Sequence, residues 1–302
     1  MTIATAPRRQ LTPLEPLLRR IETASELDPA AEAVGKAVRD TISPGAVKDA
    51  LSGTWLGHAV HPMLTDVVTG SFLSATLLDL FGGDHDGRAS RRLIGLGILA
   101  YAPTALTGIN DWADTEPADE TVRRTGLVHA TTNLVALSLY TASFLRRRRA
   151  PAGSARGKLL AAFGATTLTA AGYLGGHMSL NKGVGPDQTV FDPGPPDWTP
   201  AADAAQLSDG RPVRVVVDDT PVLLLRDAEQ VFAIHDRCSH RGCSLSEGSI
   251  EGDEIVCACH GSRFDRRDGS VKHGPASSAQ PAFQVRERDG RIEVRLLSPA
   301  TA

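Results

Sequence analysis

The hydrophobic and polar positions divide the chain into a helical first part and a strand-rich last part. Four apolar stretches cover residues 62–82, 93–110, 126–145 and 158–179, and each is close to the ~20 residues that a bilayer-spanning helix needs. They are rich in Gly, Ala, Ser and Thr, and they lack the charged outer stripe of a water-facing helix. We therefore expect an all-α four-helix transmembrane bundle over residues 51–183, with a soluble four-helix bundle as the alternative.

A different pattern begins near residue 206. Short runs of β-branched and apolar residues alternate with Asp- and Gly-rich turns, as in PVRVVVDD, PVLLLRD, VFAIHD and RIEVRLL. This spacing predicts a compact all-β antiparallel domain over residues 206–302. The intervening segment 184–205 is rich in Pro, Gly and Asp, which is typical of a linker. We expect a chain of mixed class, with an all-α part followed by an all-β part.

The first 50 residues form a separate, more polar segment. Apolar residues recur in it at three- to four-residue spacing, at Leu11, Leu14, Leu17, Leu18 and Ile21. This period predicts an amphipathic helical segment over residues 1–50. No apolar run follows the Arg8-Arg9 pair, so we do not assign an export signal there.

The charges exclude one class of partner and give the bundle an orientation. The sequence has 32 Lys+Arg and 35 Asp+Glu, and this mixture provides no basic face for nucleic acid. Arginines collect after the first and third apolar stretches, in residues 88–92 and 146–158, whereas the loop 111–124 between the second and third is acidic overall. Because cytoplasmic loops carry the excess of Lys and Arg, we expect a multi-pass protein of the cell membrane with its C-terminal domain on the outer face.

All four cysteines lie between residues 238 and 259. They are too few and too clustered for a disulfide scaffold spread over the whole chain. They occur in two short motifs, CSHRGC at residues 238–243 and CACHGS at residues 257–262, and each motif pairs a cysteine with a histidine two or three residues later. Thiolate and imidazole are ligands of both zinc and iron, so the motifs predict one metal site.

These motifs, with the following GSRFD, DGSV and GPA, closely resemble those of Rieske iron–sulfur domains over about residues 206–298. The resemblance implies a [2Fe–2S] cluster at an exposed tip, with Cys238 and Cys257 as thiolate ligands and His240 and His260 as imidazole ligands. A Cys₂His₂ zinc site uses the same ligand types and is the alternative. The flanking residues favour the iron–sulfur interpretation, because they do not resemble a zinc finger.

The same resemblance gives roles to five neighbouring residues. It implies a disulfide between Cys243 and Cys259, as in the high-potential branch of the family, with two free buried thiols as the alternative. Ser262 matches a serine whose hydroxyl raises the potential of the cluster, and Phe264 stands where that branch has a tyrosine. Pro275 would lie on a loop that covers the cluster. We therefore expect a potential in the upper part of the Rieske range, below its top.

The helical part resembles a family of four-helix membrane proteins with a His-Pro motif and no established activity. The resemblance lies in GHAVHPMLTD, GLVHATTN and GYLGGHM, within residues 51–183. Histidines fall at the outer end of the predicted bundle, at His58, His61, His129 and His177. They could ligate a non-covalent haem b, bind a quinol or hold a metal, and interfacial histidines that cap helix ends are the alternative.

The predicted function is one-electron transfer by a membrane-anchored Rieske protein, between a quinol, haem or protein donor and a redox partner. The alternatives are a ferredoxin-like donor to a separate oxygenase and a redox-sensing membrane protein. Only 42 residues follow His260 in the 302-residue chain, with His273 the one histidine among them. We therefore expect no mononuclear-iron catalytic domain after the motifs. The pattern favours no particular oligomeric state.

Overall fold

Seven α-helices form the first part of the chain in this computed structural model, which describes residues 13–83, 86–149 and 154–297. They are α1 Glu15–Glu22, α2 Asp28–Thr41, α3 Ala46–Ser52, α4 Val60–Phe81, α5 Gly87–Thr115, α6 Glu120–Arg149 and α7 Ala155–Lys182. The four long helices, α4 to α7, contain the four apolar stretches of the sequence, except that α4 ends one residue before the first stretch does. Most of their ends extend several residues beyond those stretches into polar sequence.

Small residues let the four long helices approach closely. Phe72 of α4 stacks on Tyr140 of α6, with ring centroids 4.0 Å apart. A Cβ atom on Gly97 would collide with the Phe72 ring, and one on Gly164 would collide with the Tyr140 ring, so glycine permits both contacts. Buried apolar residues complete this core: Val68, Ala75, Ile94, Ala136, Ala161 and Leu168. The predicted helical bundle is thus confirmed.

Three of these helices, α4, α5 and α7, are long and apolar enough to cross a bilayer. Helix α6 matches them in length, but it carries Arg123 and Arg124 in its first turns and a run of arginines at its end. The role of α6 as a fourth transmembrane helix therefore stays a prediction.

The short helices α1 to α3 lie at one end of the bundle, where α5 ends and α6 begins. Arg124 of α6 holds Asp28 of α2 through two hydrogen bonds of 2.9 and 2.6 Å, and Leu18 of α1 is buried. The amphipathic pattern of the first 50 residues is thus divided among separate helices. Leu11 lies outside the described residues.

Two acidic residues that the sequence places in a loop belong instead to the last turns of α5. Asp111 and Asp114 both precede the end of α5 at Thr115. Asp114 is buried and accepts a hydrogen bond of 2.7 Å from Lys48 of α3. The apolar pattern ends before residue 111 because this end of the helix is covered by polar protein groups.

Ten strands in two antiparallel sheets form the second described part, which confirms the predicted all-β class. They are β1 Thr199–Asp203, β2 Pro212–Val217, β3 Thr220–Asp227, β4 Gln230–His235, β5 Ser249–Glu251, β6 Glu254–Val256, β7 Arg263–Asp265, β8 Val271–His273, β9 Ala282–Arg288 and β10 Arg291–Leu296. The larger sheet has the order β1-β10-β9-β4-β3-β2, and the smaller one has the order β5-β6-β7-β8.

Strand β1 lies within the segment 184–205 that composition assigns to a linker. It pairs with β10, with Thr199 opposite Val294. Because β1 is an edge strand, Pro200 is tolerated there despite its missing N–H group. The Pro- and Gly-rich connection between the two parts therefore ends before residue 199.

A buried ion pair joins α4 to α6 at the end of the bundle far from α1 to α3. The side chains of Asp79 and Arg147 are each 3% exposed, and Arg147 Nη1 donates to Asp79 Oδ1 at 2.9 Å. The hydroxyl of Ser90 also donates to Asp79, and Arg147 Nε donates to the hydroxyl of Ser143. Removing one charge of such a pair leaves the other uncompensated.

We predict that Asp79→Leu destabilises the bundle by about 3–5 kcal/mol, because the guanidinium of Arg147 stays buried without its partner. The double variant Asp79→Leu/Arg147→Met should recover most of this loss. Thermal unfolding of the detergent-solubilised proteins measures both effects. Equal melting temperatures for the single and double variants would contradict the prediction.

Candidate functional site

Two loops carry the cysteine–histidine motifs, one between β4 and β5 and the other between β6 and β7. Each loop closes with the same two backbone hydrogen bonds. The N–H of its first cysteine donates to the carbonyl five residues later, and the N–H of its glycine donates back to the cysteine carbonyl. The distances are both 2.8 Å in the Cys238 loop, and 2.8 and 3.0 Å in the Cys257 loop. Gly242 and Gly261 have φ angles of 77° and 76°, which favour glycine.

The paired loops bring the two motif histidines together. The ring centroids of His240 and His260 are 5.0 Å apart, with one ring edge-on to the other. Burial, followed by nearby positive charges, lowers the pKa of His240 to about 3 and that of His260 to about 4. Both imidazoles are therefore neutral, the form that binds metals. Within the described part of the chain, the buried Nδ1 atom of His240 has no hydrogen-bond partner.

The first cysteines of the two motifs lie side by side in the core of the β part. Cys238 and Cys257 are buried, and their thiols are hydrogen-bonded to each other. The hydrogen bond with Cys238 lowers the pKa of Cys257 to about 6, whereas the same hydrogen bond and burial raise the pKa of Cys238. Since the thiolate is the metal-binding form, this pair can supply two adjacent sulfur ligands.

A disulfide between Cys243 and Cys259 ties the two loops together. The structure therefore has the cross-link that the sequence resemblance implies, and not two free thiols. The sulfur atoms of this pair and of Cys257 lie within 4.8 Å of one another. Two of the three belong to the disulfide, so this sulfur group is not itself a three-thiolate metal site.

The residues expected to tune the site surround it. Ser262 is buried, and its Oγ accepts a hydrogen bond of 3.0 Å from the N–H of Ala276, so the serine hydroxyl keeps its own proton to donate. Phe264 is fully buried in the apolar cluster that contains both free cysteines. Pro275 is buried on the loop that follows β8, next to Ala276.

The prediction that the two motif loops form an exposed tip is wrong for this structure. His240 and His260 are each half-buried, and neither is fully exposed. Arg241 Nη1 donates to the carbonyl of Gly183 at 2.8 Å, directly after α7. The loops therefore face the end of the bundle that α1 to α3 cover.

Helix α3 and the turn after it contact the end of β8 and the segment that follows it, which lies beside the loop of Ser262. Asp49 accepts a hydrogen bond of 2.7 Å from the N–H of Gly274, and its other oxygen lies 2.9 Å from His273 Nδ1. The hydroxyl of Thr54 donates to the carbonyl of Ala276 at 3.1 Å. Sequence reasoning missed these residues because they are 222 to 225 positions from their partners and belong to no local motif.

The histidines of the helical part are engaged with separate protein groups. His58 is exposed, and the other three each contact a neighbouring helix. These contacts are His61 Nδ1 with Thr104 O at 3.0 Å, His129 Nδ1 with Ala171 O at 2.8 Å, and His177 Nε2 with Glu22 Oε1 at 2.9 Å. The second ring nitrogens of His129 and His177 are also hydrogen-bonded, to Asn133 and Asn181. This arrangement gives no support to the predicted haem b.

Two family models match the chain. Residues 197–284 match the model described as Rieske [2Fe-2S] domain, and residues 57–188 match DUF2231, described as a predicted membrane protein. The sequence resemblance to these two kinds of protein is therefore confirmed.

Individual relatives match about one third of the chain. The anthranilate 1,2-dioxygenase ferredoxin subunit of Burkholderia cepacia is 30% identical over 100 residues, which are 33% of this chain and 93% of that protein. Ferredoxin CarAc of Metapseudomonas resinovorans is 32% identical over 98 residues, 32% of this chain and 92% of that protein. The solved ferredoxin of carbazole 1,9a-dioxygenase from Nocardioides aromaticivorans IC177 is 32% identical, covering 32% of this chain and 96% of its own, with a TM-score of 0.31.

We predict that His240→Ala and His260→Ala each lose most of the bound iron, because each removes one of two adjacent imidazoles. His273→Ala is the matched control in the same domain and should keep its iron, since this histidine pairs with Asp49. Iron and sulfide content and the visible spectrum of the purified proteins measure the outcome. Full iron content and an unchanged spectrum in both ligand variants would refute the assignment.

Proposed function

This chain belongs to the Rieske [2Fe–2S] family through residues 197–284 and carries a DUF2231 domain at residues 57–188, and we propose that it carries single electrons at a cell membrane. The β part would hold the cluster, and the helical part would anchor it. The observation that carries the proposal is the pair of disulfide-linked loops that gathers two buried thiols and two neutral imidazoles.

We assign Cys238 and Cys257 as the thiolate ligands, and His240 and His260 as the imidazole ligands. A [2Fe–2S] cluster bound by this set supplies a one-electron couple, with a potential above that of all-thiolate ferredoxins because two ligands are neutral. The unpartnered Nδ1 atom of His240, judged over the described residues, fits a metal ligand. The two adjacent thiols fit a pair of ligands on the side of the core.

The neighbouring residues would set the potential and protect the site. The Ser262 hydroxyl has a proton to donate toward sulfur, which stabilises added negative charge. Phe264 lacks the hydroxyl that a tyrosine would offer, so this second donor is missing. The Cys243–Cys259 disulfide would hold the two loops together.

The surface of the helices supports membrane anchoring. Large apolar side chains are exposed along the long helices, including Leu77, Leu80, Phe81, Leu99, Leu106, Leu134, Leu159 and Phe163. Such a surface fits contact with lipid chains better than contact with water. The arginine-rich ends of the helices lie opposite the end that faces the β part, and under the positive-inside rule this supports an outer-face position for the β part.

The position of the two loops supports a donor that reaches the protein at the membrane. The loops that carry His240 and His260 lie against the polar end of the helical part, where a membrane quinol or a membrane-bound redox protein could approach. A protein on the outer face would take the electron. The histidines of the helical part remain candidates for contact with such a quinol, His61 among them because only its Nδ1 is engaged within the described residues.

A second candidate function is supply of electrons to a separate oxygenase. The observation that favours it is the similarity to ferredoxin subunits of dioxygenases. The disulfide and the membrane helices favour the first candidate, because extracytoplasmic compartments preserve disulfides and the cytoplasm reduces them.

We predict that the cluster is reduced when the quinone pool of isolated membranes is reduced by a respiratory substrate, and is reoxidised when the pool is oxidised. The cluster signal in electron paramagnetic resonance (EPR) follows both steps. Membranes containing Cys238→Ser provide the control without a cluster. A cluster whose redox state does not follow that of the quinone pool, but which is reduced by NADH and a soluble ferredoxin reductase, would refute the quinol-linked role and support the second candidate.

A further inference from the structure

Lys48 is a buried cation at the junction of the helical part and the ligand loops. It is 4% exposed, and its Nζ donates to Asp114 Oδ1 of α5 at 2.7 Å. Within the described part of the chain, the second oxygen of Asp114 and the side-chain oxygen of Asn110 have no hydrogen-bond partner. A buried ion pair is costly to desolvate. Stability alone therefore explains poorly why Lys48 and Asp114 are buried beside oxygen atoms that lack a hydrogen-bond partner.

The position of α3 brings the Lys48 charge to the loops. The next residue, Asp49, bonds the backbone of Gly274, and Pro44, just before α3, lies against Gly261. These contacts hold the beginning of α3 next to the loop that carries His260. Lys48 lies between Pro44 and Asp49 along the chain, so its buried charge belongs to the same junction.

We propose that Lys48 tunes the cluster: it raises the reduction potential of the group that the two loops bind. This inference rests on the proposed electron-carrier function. Reduction adds one negative charge to the cluster, and a cation buried nearby, in a region of low dielectric constant, stabilises that form. Lys48 does not bind the cluster. Its positive charge acts through space, from the side of the cluster that the imidazole ligands occupy.

The placement of Lys48 also couples the two parts of the chain. The ligands belong to the β part, whereas Lys48 belongs to the helical part. The potential therefore depends on the contact between the loops and α3. By thermodynamic linkage, the reduced cluster strengthens this contact by the same factor by which the contact favours reduction.

Two substitutions in the same ion pair separate electrostatic tuning from structural support. We predict that Lys48→Gln lowers the ratio of reduced to oxidised cluster about tenfold at a fixed ambient potential, and that Asp114→Asn raises it by a similar factor. A tenfold change corresponds to about 59 mV for a one-electron couple. EPR-monitored redox titration of the full-length protein in detergent measures the shifts. Both substitutions break the same ion pair, so a purely structural role would shift the potential in one direction or leave it unchanged.

The controls distinguish failure of this inference from failure of the proposed function. Lys158→Gln should leave the ratio unchanged, because Lys158 lies 24 residues from Lys182 along α7, about 36 Å at 1.5 Å per residue. Absence of a cluster signal in the wild-type protein would refute the electron-carrier function. A normal signal with an unmoved potential in both pair variants would refute only the role of Lys48. If Lys48→Gln does not fold, Asp114→Asn decides: a raised potential supports the inference, and a lowered or unchanged one overturns it.

Discussion

The convergence of four candidate ligand groups on one point is the constraint on which the β part depends. Two buried thiols and two half-buried imidazoles meet at one point, where the thiols of Cys238 and Cys257 are hydrogen-bonded to each other. Within the described residues, the buried Nδ1 atom of His240 has no hydrogen-bond partner. Such an atom costs free energy unless a bound group satisfies it. The matched loop closures, the two glycines with positive φ and the disulfide hold these side chains in place for a metal cluster.

The parts of the site that depend on short stretches of chain could be predicted from the sequence. The ligand motifs each fit within six residues, and the longer strands show the alternation or apolar runs that identify them. Strands β5, β6, β7 and β8 have only three residues each, too few to show a period. Strand β1 contains Pro200, which made its segment look like a linker.

The contact between the two parts of the chain could not be predicted in this way. Lys48, Asp49 and Asp114 lie in sequence segments whose polar composition is typical of a solvent-exposed surface. Only the fold shows that these residues are buried or hydrogen-bonded at a junction. The expectation of exposed imidazoles failed for the same reason, since no local signal indicates that the helical part lies against the loops. The junction offers a physical reason for the fusion of the two parts in one chain, because it brings charged residues of the helical part close to the proposed ligands in the β part.

Low-temperature EPR of the purified full-length protein, reduced first with ascorbate and then with dithionite, tests the central claim most directly. We predict a Rieske signal already with ascorbate, because two neutral imidazole ligands, the Ser262 hydroxyl and the nearby Lys48 all favour the reduced form. A signal that appears only with dithionite would contradict the high-potential membrane carrier. Zinc in place of iron, with no signal under either reductant, would contradict the iron–sulfur site itself.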